Sequence, residues 1–378
     1  MSPQRTPLFE VHQQAGARLI DFGGWEMPVQ YSSIVDEHLC VRNNVGIFDI
    51  SHMGEVVVTG NRAAEFLNQL LTNDIRKLSP GQGQYTLMCN ERGGVIDDLY
   101  AYQTGPTEYL LVINASRITD DIAWVNGQLA RSSFHSECTV TDKSGSLSAV
   151  AIQGPKSPGL MDAIFTSASV SGTSASHPSE LKKNELGQFP FDSGPVWICR
   201  TGYTGEDGFE VLCENEFINR VWDRAANLGH PFCLQPIGLG ARDTLRTEMC
   251  YPLYGHELNE DTTPIEAGVG FFVSLEKGDF IGRNVLAEQK AIGAAKRCIA
   301  FKMTGKSPPP RPNYAILANG ERVGETCSGT LSPSLNAGIG LGYVPPEFAK
   351  PDTEIEIEIR NRRFPAIVTR KPIYKKES

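Results

Sequence analysis

The chain has 378 residues, 40% of them hydrophobic and 21% charged, which is enough for two or three buried cores and carries no compositional mark of disorder. Its formal net charge of -9 argues against a broad nucleic-acid surface, since such a surface must be basic to neutralise phosphates. No apolar run approaches the roughly 20 residues of a membrane-spanning helix, so neither nucleic acid nor membrane is an expected partner.

In chain order, residues 1–12 hold neither an apolar signal core nor an Arg-rich amphipathic run, and the expected location is cytoplasmic. A matrix protein whose presequence had been removed would read the same way. Residues 55–59, within GEVVVTG, predict a strand. Residues 61–71 place Ala64, Leu67, Leu70 and Leu71 at helical spacing. Residues 109–113 predict a buried strand after a Gly-Pro turn at 105–106. The stretch 165–177 is rich in Ser, Thr and Ala without periodicity and predicts a surface connection.

Beyond residue 277 the character changes. Residues 297–303, 354–360 and 364–370 predict short strands, and the Glu/Ile alternation of 354–359 marks one wet and one buried face. The Pro-rich run 307–312 and turns at Asn319-Gly320 and Asn336-Ala337-Gly338 separate them. A small β-sandwich or barrel domain is predicted there. Helices and strands in the earlier part lack a βαβ rhythm, which predicts an α+β fold. The nine cysteines form no CxxC pair, which suits reduced thiols and neither a disulfide framework nor a zinc site, so no metal is expected.

Three segments hold concentrated chemistry. GGVIDDL at 93–99 has two turning glycines and then adjacent carboxylates. On a strand, one of Asp97 and Asp98 would point inward and the other outward. Two readings stand: a site carboxylate able to exchange a proton, or turn chemistry followed by solvated acids. RTGYTGEDGFE at 200–210 crowds Tyr203, Glu206, Asp207 and Glu210 around three glycines. Either its backbone approaches a ligand, or it is a compact turn between strands 196–199 and 209–212. GLGARDTLRTE at 238–248 sets Arg242 and Arg246 one helical turn apart, giving either an anion-binding surface or a buried helix whose Asp243, Arg246 and Glu248 pair internally. His52 reads as a hydrogen-bonded core histidine.

Taken in order with TPLFEVH at 6–12, DFGGWEMPVQY at 21–31, GIFDISHMGE at 46–55, TND at 72–74, LYG at 253–255 and GETCSGTLSPSL at 324–335, these segments resemble the glycine-cleavage T-protein family over nearly the whole chain. The resemblance implies a three-domain cloverleaf around a central channel, with 1–51 and 140–276 as a discontinuous folate-binding body, 52–139 inserted, and 277–378 as a C-terminal β domain. It also implies an aminomethyltransferase with tetrahydrofolate as acceptor and lipoylated H-protein as donor and partner. Residue by residue, it implies that Asp98 orients the pterin and assists transfer, that Glu210 holds the pterin edge and that Arg242 lies beside the folate. Tyr85, Met53, Asn114 and Tyr203 match positions of the pocket wall. Between 178 and 192 the chain departs from the family pattern: Lys182, Lys183 and Asn184 stand where relatives often place an aromatic wall. Phe189 or Phe191 would then take over that duty, and the lysine pair would face the glutamate tail. The same fold also serves tetrahydrofolate-dependent demethylases of free small substrates and non-catalytic folate-binding assembly factors. The latter carry a cysteine-containing glycine motif in place of RTGYTGEDGFE.

Overall fold

The computed structural model describes residues 2–192 and 194–376. Helices and strands are mixed along the chain, which gathers into two compact units, Met1–Thr86 with Leu99–Arg242 and Leu87–Asp98 with Asp243–Ser378.

The first unit is built on a six-stranded sheet in the order Leu186–Phe191, Gly194–Cys199, Gly208–Glu214, Leu147–Gln153, Val45–Asp49, Leu234–Pro236. Only its last pair is parallel. The helix Asn215–Leu228 buries Ile218, Val221, Trp222 and Ala225, an i, i+3, i+4, i+7 stripe, in one core with Val150, Ile152 and Val211. The stretch 165–177 forms no helix or named strand, as expected. It is not merely a surface connection, however, because Phe165 and Ala175 are 1% and 6% exposed in that same core. Two anchors ten residues apart leave no periodic signature.

A five-stranded sheet follows the order Gln82–Cys89, Val95–Gly105, Glu108–Ile113, Gly54–Thr59, Thr139–Asp142. The strands expected at 55–59 and 109–113 pair antiparallel, with Val57 opposite Leu110. Helix Ala63–Leu70 occupies the span expected at 61–71 and buries Ala63, Phe66, Leu67 and Leu70.

In the second unit, six strands close a barrel in the order Arg297–Met303, Ala337–Val344, Glu321–Ser332, Ala315–Ala318, Glu354–Ile359, Arg362–Thr369. All three strands expected from the sequence are present. In Glu354–Ile359 the isoleucines at 355, 357 and 359 fill the barrel core while the glutamates stay partly or fully exposed. Asn319 and Gly320 both have positive φ (53° and 84°), the requirement of the tight turn that joins two antiparallel strands here.

Helix Arg283–Ile292 precedes the barrel. All nine cysteines are free. Among the described residues no helix is long and apolar enough to cross a membrane.

Candidate functional site

The glycine-rich segment 200–210 is tied down by its own charged residues. Arg200 forks onto Asp207, with Nε to Oδ1 at 3.0 Å and Nη2 to Oδ2 at 2.6 Å. The buried Arg42 donates to the Thr204 carbonyl at 2.8 Å and to Glu206 Oε1 at 3.0 Å. Gln153 threads the turn, donating to the Thr201 carbonyl at 3.0 Å and accepting from Thr204 Oγ1 at 2.9 Å. A Cβ at Gly202 or Gly208 would fall 1.9 or 2.4 Å from that glutamine, so a side chain at either position would displace the amide that holds the turn. Glu206 and Asp207 are therefore spent on shape. The segment is a turn between paired strands, since Cys199 lies opposite Glu210, and it also presents Tyr203 and Glu210.

Glu210 accepts a 2.7 Å bond from Thr201 Oγ1. With its one hydrogen so used, Thr201 takes the 2.9 Å contact with Tyr102 as acceptor, and the chain runs Tyr102 to Thr201 to Glu210. Burial raises the Glu210 pKa, opposed by Thr201 and by the charge of Arg242. Part of the residue nevertheless stays accessible. Arg242 sits 4.8 Å over the Tyr203 ring, a cation–π placement that leaves guanidinium and aromatic face adjacent. Arg246 does not join it. It is 1% exposed and paired with Asp243 at 2.7 Å and Glu257 at 3.1 Å, as the buried-helix reading required. Glu248 instead accepts from Ser332 and Ser334.

Tyr85 meets Tyr100 edge-on at 6.3 Å, Tyr100 stacks on Tyr102 at 5.3 Å, and the Tyr100 hydroxyl donates to Asn184 Oδ1 at 2.8 Å. Asn184 thus supports a tyrosine ladder where an aromatic had been expected. Phe189 and Phe191 are not wall residues, being 0% and 3% exposed in the six-stranded core. Lys182 and Lys183 are exposed, and Lys182 Nζ lies 3.8 Å from Glu185.

Met53 closes the turn after strand Val45–Asp49, with its N–H on the Ile50 carbonyl at 3.1 Å. Asp49 braces that turn, accepting from Ser51 N at 2.9 Å and Thr6 Oγ1 at 2.6 Å, with His12 Nε2 at 2.8 Å. His52 is a core histidine as expected, but without the expected hydrogen bond at Nδ1. It is 2% exposed, Phe22 lies edge-on at 5.7 Å, and its Nδ1 has no hydrogen-bond partner among the described residues. Burial lowers its pKa to about 4, with Asp49 opposing and Arg242 assisting, so it is neutral at ordinary pH. Asn114 is half-buried at the end of strand Glu108–Ile113, its carbonyl accepting from Arg117 N at 2.9 Å.

In the other unit, Asp97 and Asp98 follow a turn organised by Asn90, whose Oδ1 accepts from the N–H groups of Arg92 and Gly94, both at 3.0 Å. Val95 N–H reaches the Asn259 and Thr262 carbonyls at 3.0 Å, and a Cβ on Gly94 would sit 1.8 Å from the Glu260 carbonyl. The glycines turn the chain as expected. Asp97 is fully buried and Asp98 half-buried, the alternation a strand imposes.

Thr201, Tyr100 and Tyr102 were not singled out in the sequence. Tyr100 and Tyr102 follow Asp98 at strand spacing, and Thr201 lies inside the glycine-rich segment, so the signal was present for all three. A buried carboxyl beside a guanidinium and a tyrosine face suits a flat heterocycle with N–H groups on one edge. Among the described residues no group of three or more His, Cys, Asp or Glu side chains is arranged to hold a metal ion.

Residues 8–277 match the family described as GCVT N-terminal domain, and residues 296–375 match the glycine cleavage T-protein C-terminal barrel domain. The aminomethyltransferase of Bacillus cytotoxicus is 44% identical over 378 residues, covering 99% of this chain and 98% of that one. Its counterpart in Bacillus mycoides is 43% identical with the same coverage. The crystal structure of glycine cleavage system aminomethyltransferase T from Bartonella henselae matches with a TM-score of 0.88 at 32% identity, covering 99% of this chain and 98% of that one.

Proposed function

The chain belongs to the glycine cleavage T-protein family of aminomethyltransferases, and on that footing we propose that it moves a methylene from the aminomethyl-lipoyl arm of an H-protein to tetrahydrofolate. The observation that carries this reading is Glu210, held by Thr201 and flanked by Arg242 over Tyr203. A carboxyl there receives the paired N–H groups of an aminopyrimidine edge, which fixes the pterin in one orientation. Tyr85, Asn114 and Met53 are assigned to the pocket wall.

The reaction balances without an oxidant. The methylene carbon forms bonds to N5 and N10 of the folate while its bonds to the lipoyl sulfur and to the amine break. The two protons lost from the folate nitrogens leave on the thiol and the ammonia. Asp98 is assigned to orient the folate and carry the proton between a ring nitrogen and the leaving group. The proposed domain division is 1–51 with 140–276 as the folate-binding body, 52–139 as the inserted domain and 277–378 as the barrel domain, and the proposed location is the cytoplasm.

Replacing Arg242 with Lys keeps the charge and loses the planar group over Tyr203. It is expected to weaken tetrahydrofolate binding about tenfold, measured by fluorescence titration, because stacked arginine and lysine are not interchangeable. Unchanged affinity would remove Arg242 from the pocket. The reading itself is tested by mixing the protein with aminomethyl-loaded H-protein and tetrahydrofolate and following 5,10-methylenetetrahydrofolate. Turnover that requires the lipoylated carrier supports it. Folate binding without transfer would shift the assignment to a demethylase of a free substrate or to an assembly factor.

A further inference from the structure

The barrel unit holds a second concave feature that the transfer chemistry does not use. A cleft of about 640 Å³ lies between the end of helix Arg283–Ile292 and the barrel strands Arg297–Met303 and Arg362–Thr369. Its lining carries four cations, Lys290, Arg297, Arg370 and Lys371, against the single carboxylate of Glu266, in a chain whose net charge is -9. None of the four is paired with a carboxylate among the described residues. Glu266 is already engaged: it accepts from Thr263 N at 3.0 Å in the cap of its own helix and lies 3.9 Å from Lys296.

Solvated lysines on a convex surface would need no ligand, but the arrangement here differs in three respects. First, the two strands pair antiparallel with Ala300 opposite Thr369, so the start of one and the end of the other bring Arg297, Arg370 and Lys371 to one end of the barrel, where their fields add within a recess. Second, Lys371 is exposed but its ammonium is tied back to the protein at the rim of the cleft. Its ammonium is 3.5 Å from the Ala267 carbonyl, and its positive charge acts on the buried Cys298 thiol, opposing the rise in pKa that burial causes. Third, the Thr369 hydroxyl, also in the lining, is buried without a hydrogen-bond partner among the described residues. Lys290 has a local explanation, since it lies in the last turn of its helix where the dipole favours a cation. The other three have no such counterpart.

We propose that this cleft is a binding site for a small multivalent oxyanion, a compound bearing two or more phosphate or carboxylate groups, held by Arg297, Arg370 and Lys371. The volume is that of a small-molecule site, and arginine forks suit both anion types.

The experiment is isothermal titration of the full-length protein with inorganic pyrophosphate in one arm and citrate in the other, at about 0.1 M ionic strength. Saturable binding of either probe, weakened tenfold or more in the Arg297→Gln/Arg370→Gln double variant, is the expected result. The tighter arm identifies the anion chemistry. A control variant, Lys302→Gln/Lys306→Gln, alters cations outside the cleft and is expected to bind as the parent does. Both exchanges in the double variant are on exposed side chains, so folding and methylene transfer should be untouched. No saturable binding up to about 10 mM of either probe would overturn the proposal. So would equal binding by the double variant, or equal weakening in the control. None of these outcomes depends on whether the chain transfers methylene groups.

Discussion

Asp98→Asn is expected to lower the rate of methylene transfer at saturating folate by about 10²–10⁴-fold, the usual contribution of a positioned proton-transfer group. Tetrahydrofolate affinity should change by less than about tenfold, because asparagine preserves the shape and one acceptor of the carboxylate. Asp98 is a half-buried position on strand Val95–Gly105, and the turn before it is held by Asn90 and by the Asn259 and Thr262 carbonyls, none of which involves the Asp98 side chain. Asp97, fully buried on the opposite side of the strand, is the internal control. Its replacement should act through stability and lower the denaturation midpoint. Single-turnover rates with loaded H-protein, set beside folate titration and urea melts, separate the two. An Asp98→Asn enzyme retaining more than about a tenth of the parental rate would remove Asp98 from the proton-transfer role.

Glu55 is expected to make the protein less stable as the solution becomes more basic. It lies on strand Gly54–Thr59, fully buried, and neither carboxyl oxygen has a hydrogen-bond partner among the described residues. Burial, reinforced by Asp142, pushes its pKa up to about 9 from an ordinary 4.5. The native state therefore keeps a proton that the unfolded chain releases. This contribution is fully present below pH 4.5 and is lost as pH rises through about 9, with a slope near 1.4 kcal/mol per pH unit. Between pH 5 and pH 8 the loss comes to about 4 kcal/mol as an order of magnitude.

Glu55→Gln keeps the volume and abolishes the titration, so its urea stability relative to the parent should climb across that interval. Parallel pH profiles would show that Glu55 is ionised or solvated in the native state. His52 acts in the opposite sense, its contribution present above pH 6.5 and lost as pH falls towards 4. It is common to both proteins and cancels in the comparison. Glu55 lies opposite Val112, which in turn lies opposite Tyr100, so this unpartnered acid shares a sheet row with the tyrosine ladder.

What the sequence determined by itself was whatever depends on neighbours along the chain. Alternating Glu and Ile over 354–359 dictated a one-sided strand, since successive side chains must point to opposite faces. Asn319-Gly320 dictated a tight turn because both residues must take positive φ. Paired glycines before Asp97-Asp98 dictated a reversal, and the strand that follows dictated that one aspartate be buried and the other not.

The tertiary structure decided which charged groups remained for chemistry. Glu206 is claimed by Arg42 from 164 residues away, Glu257 and Ser328 withdraw Arg246, and Thr201, which bonds Glu210, is met by Tyr102, 99 residues distant. Phe189 and Phe191 entered a core instead of lining a pocket, and Glu55 and His52 lost the water that would have set their pKa values. The physical reason is common to all of these. Secondary structure follows from local steric and periodic constraints, whereas burial and charge pairing depend on which distant segments are brought together, and no single stretch of sequence records that.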